Sequence, residues 1–354
     1  MRRISIDSIQ NGAKLARSIY TEDGQVLLSA GVQLKQNYID RLKQCNIFDI
    51  YIDDELSKDI EIKDIINDRT RLEAKALIRN IMEDCKHSSY FASDKVKSMV
   101  NQIVDELLYS DEILVNLSDL KTADDYTFAH SVNVCVLSII TGIKLGLNQL
   151  RLRDLGVGAL LHDIGKIVIP EEILKKPAQL DAEEFEMIKK HTTLGYELIK
   201  NNPNISASSA YIVLAHHERF DGSGYPLSIC GENIHLFARI VAIADVYDAL
   251  TSDRVYKDKI KVHEAIEYII ALSERHFDKS IVQCFIENIA VYPIGTGILL
   301  STGEKGIIIK LNKGFPTRPV IRIVYDANGT KKEVFPDIDL IKELNVKIVD
   351  TCEI

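Results

Sequence analysis

The sequence predicts a multidomain, mostly α-helical protein, with a large helical bundle flanked by a small N-terminal α+β module and a small C-terminal β-barrel-like domain. Three observations carry this. At 354 residues, and roughly 150 residues per domain, the chain holds about two to three domains. Its middle consists of long apolar runs that no alternating strand pattern interrupts. Its two ends alternate and are punctuated by turn dipeptides. A content of 46% hydrophobic and 27% charged residues is globular and excludes wholesale disorder.

Residues 1–54 read as the α+β module. The short β-like runs ISI, KLARSIY and QVLLSAG surround the turn dipeptide Asp23-Gly24, the helical QNYIDRLKQCNI follows, and FDIYID closes the segment. Residues 55–122 read as a helical connector. Ile62, Ile65, Ile66, Leu72, Ala76 and Leu77 recur at mixed steps of three and four, with neither Pro nor Gly. This segment suits either a homodimer helix or helices packed on the next domain. Residues 123–290 are the bundle, with the helices HSVNVCVLSIITGIKLG, LRDLGVGALLHDIGK and LFARIVAIADVYDALTS. Residues 291–354 are β-rich, with Asn328-Gly329 a strong hairpin signal, and a small barrel is the natural expectation.

The formal net charge is −9, from 43 basic and 52 acidic residues. That balance argues against a DNA or RNA polymer as partner, while a small anionic ligand needs only a few local cations. No stretch reaches the ~18 apolar residues of a membrane span, and MRRISIDSIQ has no apolar core behind its arginines, so it is not a signal peptide. The six cysteines (Cys45, Cys85, Cys135, Cys230, Cys284, Cys352) form no CxxC pair. They favour a reducing, cytoplasmic setting and oppose a thiolate zinc site.

The chemistry lies in the bundle. His162 and Asp163 end the apolar run VGALL, His216 and His217 follow YIVLA, His130 opens an apolar helix, and His191 sits in KKHTTLGYELI. Asp245 lies among Ile240, Val241, Ile243, Ala244 and Val246. An ionised carboxylate there is costly unless paired, and a metal ion is one partner that removes the cost. Imidazole and carboxylate donors suit iron, manganese or zinc. Any one of these residues is ordinarily a hydrogen-bonded core residue, and periodicity alone does not bring the seven together. His87, His235, His263 and His276 lie in more polar settings and read as surface or packing residues.

YTFAHSVNV (126–134), LLHDIGKIVIP (160–170), His191 in its setting, HHERFDGSGYP (216–226) and IADVYDALTSDRVYK (243–257) together resemble the HD-GYP family of cyclic-dinucleotide phosphodiesterases, within the HD-domain superfamily of metal phosphohydrolases. The His-Asp doublet is His162-Asp163, and the Gly-Tyr-Pro triplet is Gly224-Tyr225-Pro226. The doublet is a weak signal and HHExxDGxGYP a strong one. The five motifs occur in order between residues 126 and 257.

The resemblance implies an HD-type α-helical bundle with metal ligands at His130, His162, Asp163, His191, His216, His217 and Asp245, Asp163 bridging two ions. Iron and manganese are the metals the family implies. Members with a third metal carry a Glu four residues before the first histidine. Here that place is Tyr126, with Asp124 and Asp125 just upstream, so a binuclear site is expected. Two metals about 3.5–4 Å apart hold a hydroxide that attacks phosphorus and expels the 3′ ribose oxygen. Lys166 matches a substrate-contacting lysine, and Arg254 and Lys257 match a phosphate-binding pair that answers the developing charge. Tyr225 would stack on or hydrogen-bond the ligand, and Asp248, one helical step from Asp245, would assist proton transfer. Gly222 and Gly224 supply backbone freedom.

The implied reaction is hydrolysis of cyclic di-GMP to pGpG or on to GMP. The alternatives are another cyclic dinucleotide, such as cyclic GMP-AMP, and a weakly catalytic receptor or scaffold. In the last segment Arg318 and Arg322 form an RxxxR similar to the arginine pair of the PilZ receptor domain. No DxSxxG-like motif follows, and a packing or interaction role is expected there.

Overall fold

The computed structural model describes residues 1–21, 25–45, 47, 49–62, 65–87, 91–109, 126–174, 176, 178–252 and 260–354, and for residues 87 and 126 the backbone alone. These gather into two compact units. One holds the described residues of 1–64 and 289–354, the other those of 65–113 and 126–288. The first and last segments, expected as separate modules, thus share one unit.

In that first unit β1 (Arg2–Ser5), β2 (Lys14–Leu15) and β5 (Asp49–Asp53) form an antiparallel sheet of order β1-β5-β2. A ribbon of β3 (Ile19–Tyr20) and β4 (Val26–Leu28) and the helix α1 (Gln36–Gln44) complete the N-terminal part. Ile39 and Leu42, three apart on one face of α1, pack with Ile4, Leu15, Ile50 and Ile52. The C-terminal part is a five-stranded antiparallel sheet of β6 (Gly297–Leu300), β7 (Lys305–Lys310), β8 (Val320–Tyr325), β9 (Asp337–Asp339) and β10 (Ile348–Thr351), in the order β10-β6-β7-β8-β9. Its edge strands β9 and β10 do not pair with each other, so the sheet is open where a barrel was expected.

Strand β5 joins the two parts. Successive side chains of a strand point to opposite faces. Ile50 and Ile52 enter the core under α1, while Tyr51 enters a second core with Leu56, Ile60, Ile62, Ile307 and Val324. Burying each such side chain contributes about 1.5–3 kcal/mol. Arg322 reinforces the junction, with Nη2 2.8 Å from Asp59 Oδ2 and Nε 2.9 Å from Asp337 Oδ1. Arg318 lies ahead of β8 and donates to the carbonyls of Val346 (2.9 Å) and Leu340 (3.3 Å). Both arginines of the RxxxR are therefore engaged in holding the fold.

The second unit is helical. It contains α2 (Asp68–His87), α3 (Ser93–Leu108), α4 (Tyr126–Lys144), α5 (Gln149–Leu161), a 3-10 segment (Ile164–Val168), α6 (Glu171–Leu174), α7 (Ala182–Ile199), α8 (Ala207–Ala215), α9 (Leu236–Thr251), α10 (Val262–Ala271) and α11 (Lys279–Ile286). The connector was expected to be helical throughout, but among the described residues helix begins only at Asp68. Asn67 Oδ1 accepts from Arg69 N at 3.1 Å, and Ile60 and Ile62 are drawn instead into the first unit. α2 and α3 pack on α4 and α5. α4 is the central helix, touching α2, α5 and α9. Its stretch Thr127–Lys144 is long and apolar enough to cross a membrane by length and composition, against the expectation that no stretch would be. Within the fold 78% of it is buried. All six cysteines are free.

Candidate metal centre

Five helices deliver the histidines and aspartates to one place. His130 comes from the first turns of α4. His162 caps α5, and Asp163, with φ −97° and ψ 7°, breaks the helix into the 3-10 segment. His191 comes from α7, His216 and His217 from the end of α8, and Asp245 from α9. All but His217 are buried. Their donor atoms form close trios: His191, His216 and His217 in one, His130, His162 and Asp245 in another, and His162, Asp163 and His216 in a third, all atoms of a trio within 4.8 Å. Asp163 stands between the first two. Its Oδ1 is 3.5 Å from His191 Nε2, and its Oδ2 is 3.3 Å from His162 Nε2 and 3.8 Å from His130 Nε2.

The helices also set which nitrogen faces inward. Nδ1 of His162 meets Ala159 O at 2.8 Å, Nδ1 of His191 meets Ile188 O at 2.7 Å, and Nδ1 of His216 meets Val213 O at 3.0 Å. Each carbonyl lies three residues back in the chain and fixes the Nδ1–H tautomer, leaving the Nε2 lone pair for the centre. Nε2 of His191 and of His216 approach to 3.3 Å. His162 Nε2 and Asp163 Oδ1 are buried without a hydrogen-bond partner. Orphaned polar atoms cost about 1–3 kcal/mol each, and a cation satisfies both. The donor set of imidazole and carboxylate therefore fits metal ions.

Electrostatics agree. Burial pulls His191 down and His216 well down, keeping both neutral. Burial opposes the charge on Asp163, but Lys166, and then His162, hold its carboxyl well below the usual range. Burial also opposes a charged His130, yet hydrogen bonds to Asp245 and Asp248 push it up to about 9. His130 Nε2 is 3.0 Å from Asp245 Oδ1, and Nδ1 is 2.7 Å from Asp248 Oδ2.

Asp248 was expected to assist proton transfer. It lies on the far ring nitrogen of His130, 2% exposed, and its Oδ1 accepts from Asn133 Nδ2 at 2.8 Å. That geometry orients His130. Lys166 Nζ, partly exposed, donates to Asp163 Oδ2 at 2.5 Å. Tyr225 packs on His217, ring centroids 4.8 Å apart. Gly222 has φ +83°, whereas Gly224 is needed for space, since a Cβ there would stand 2.3 Å from Arg219 N. Arg254, Lys257, Asp124 and Asp125, and the side chain of Tyr126, lie outside the described residues.

Sequence reasoning held Glu218 within HHExxDGxGYP but gave it no role. This carboxylate is buried, and it accepts from Leu227 N at 2.6 Å and Ile229 N at 3.2 Å. It staples the loop that carries Tyr225. Its signal was the acidic residue directly after two histidines.

Residues 120–281 match the family model of the HD domain, and residues 297–354 that of the KOW domain associated with HD domain. A cyclic di-GMP phosphodiesterase of Pseudomonas aeruginosa is 35% identical over 256 residues, 72% of this chain and 62% of the relative. A 3′3′-cGAMP-specific phosphodiesterase of Vibrio cholerae is 34% identical over 191 residues, 53% of this chain and 37% of the relative. The chain spans less than two thirds of the length of either relative. A solved structure of an HDG"Y"P protein from Bdellovibrio bacteriovorus shares the fold, with a TM-score of 0.50 at 18% identity over 80% of this chain and 97% of that one.

Proposed function

We propose that this chain, whose residues 120–281 match the HD domain, is a metal-dependent phosphodiesterase of the HD-GYP kind that hydrolyses cyclic di-GMP to pGpG or on to GMP. One observation carries the reading. Two trios of inward-facing donors meet across Asp163, and His162 Nε2 and Asp163 Oδ1 are buried without a partner.

His191, His216 and His217 would hold one ion and His130, His162 and Asp245 the other, with Asp163 offering an oxygen to each. Iron or manganese suits these donors. Such ions supply Lewis acidity, which makes water nucleophilic at neutral pH and offsets charge on phosphate. The chain's own residues do the rest. Asp248 orients His130. The ammonium of Lys166, between the cluster and solvent, meets the anionic phosphodiester, and Arg254 and Lys257 keep their expected role on phosphate. Tyr225, packed on His217 and held by the Glu218 staple, gives the ligand a flat wall. The proposed setting is cytoplasmic, in keeping with six free thiols.

None of the clustered groups reads a base. The identity to a 3′3′-cGAMP-specific relative makes that dinucleotide the second reading. The test is anaerobic loading of the full chain with iron(II) or manganese, metal counting, and parallel incubation with both dinucleotides, beside Asp163→Ala. The proposal expects about two ions per chain and release of pGpG or GMP that the substitution abolishes. Turnover of cyclic GMP-AMP alone selects the second reading. Metal and ligand retained without turnover of either shows a receptor.

A further inference from the structure

A buried hydrogen-bond chain runs from the metal centre to a helix outside the matched HD domain. Arg71, on α2, donates from Nη1 to Asn133 Oδ1 on α4 at 3.2 Å. Asn133 Nδ2 donates to Asp248 Oδ1 on α9 at 2.8 Å. Asp248 Oδ2 meets His130 Nδ1 at 2.7 Å. Exposure falls from 8% at Arg71 to 1–2% at the other three, so in the intact fold these groups pair with one another and not with bulk water.

The chain has a direction. A guanidinium only donates, so the Asn133 carbonyl must face it and the amide must turn its NH2 toward Asp248. Asp248 then accepts on Oδ1 and is left to accept the His130 Nδ1–H on Oδ2. That arrangement leaves Nε2 of His130 on the metal side. With Arg71 gone, the Asn133 carbonyl loses this donor, and the amide can flip and turn its oxygen on the Asp248 carboxylate.

We infer that Arg71 is a positioning residue for the metal centre, acting on His130 through Asn133 and Asp248. The inference rests on the metal reading proposed above. It makes α2, the first helix of its unit, part of what tunes that centre.

The sign of one effect separates this from simple electrostatics. Removing a positive charge near a cation site should tighten cation binding by Coulomb's law. Losing a positioning link should weaken it, by about tenfold for outer-shell partners. The test is equilibrium dialysis of the full chain against manganese for wild type, R71K, R71Q and R71M, with circular dichroism to establish folding. Expected are about tenfold weaker binding in R71Q and R71M and recovery toward wild type in R71K, which keeps an obligate donor. R71Q, polar and close in length, serves if R71M does not fold. Manganese binding in R71Q and R71M equal to or tighter than wild type overturns the inference and leaves the metal reading intact. A wild type that binds no manganese removes the metal reading, and the inference with it.

Discussion

Gly165 lies two residues beyond Asp163, where the 3-10 segment runs against α7. A Cβ on it would stand 1.9 Å from the carbonyl oxygen of His191 and 2.6 Å from the nitrogen of Gly195. Ordinary contact begins at 3.4 Å, so Gly165→Ala must move α7 by roughly 1.5 Å. Both obstructing atoms are backbone, and no side-chain rotation relieves them. His191 rides on α7, 3.5 Å from Asp163 Oδ1. A metal site tolerates donor displacements of only about 0.2 Å, so the trio of His191, His216 and His217 loses a donor. His130, His162 and Asp245 come from α4, α5 and α9 and keep their places. Elemental analysis of Gly165→Ala should therefore fall from about two ions per chain to about one. Urea unfolding should show a loss of about 1–3 kcal/mol from overpacking. Two ions per chain together with an unchanged urea midpoint would refute this reasoning, because they would mean the segment and α7 separate freely.

Other perturbations test other links. Glu218→Gln replaces one of two accepting oxygens by an NH2 facing a backbone N–H. It should cost about 1–3 kcal/mol locally, seen as faster amide exchange at Leu227 and Ile229 and a raised KM with little change in metal content. His130, pushed up to about 9 in the metal-free protein, must lose its Nε2 proton to bind metal. Apparent manganese affinity should then rise with pH up to about 9 and level off above it; titrations that are flat from about pH 6 to 8 contradict this. By the same linkage, the stabilisation that His130 gives the metal-free fold is full below its ordinary value near 6.5 and is lost as pH rises through about 9. Tyr51→Ala empties the second core reached by β5. It should destabilise the first unit by about 3–5 kcal/mol, measured by urea unfolding, with metal content unchanged.

The helical unit and its metal-binding character were legible because polar residues stood where apolar ones belonged. Asp245 inside RIVAIADVY and the His216-His217 pair after YIVLA each demanded a partner. What lay beyond them was not legible. Glu218 and Arg71 are residue types usually solvated, and nothing in their spacing says that one clamps a loop and the other is buried against Asn133. Asp248 shares a helical face with Asp245, which suggested a shared task, but position on a face does not say which ring nitrogen it meets. At the ends of the chain, alternation announced strands without announcing closure or partners. Alternation in FDIYID puts Tyr51 on the opposite face from Ile50 and Ile52, and only the fold shows that the two faces enter different cores.

That division of β5 bears on how the protein comes to be made. The partners of Tyr51, Ile307 and Val324, lie more than 250 residues further along the chain. Residues emerge from the ribosome in order, so Tyr51 has only its near neighbours Leu56, Ile60 and Ile62 from that core while the whole helical unit is synthesised. Bringing the two halves together across an unstructured loop of that length would cost about 5 kcal/mol in chain entropy. A nascent chain stalled before residue 307 thus lacks two of the residues that cover Tyr51, and exposed apolar surface of that kind is what chaperones bind.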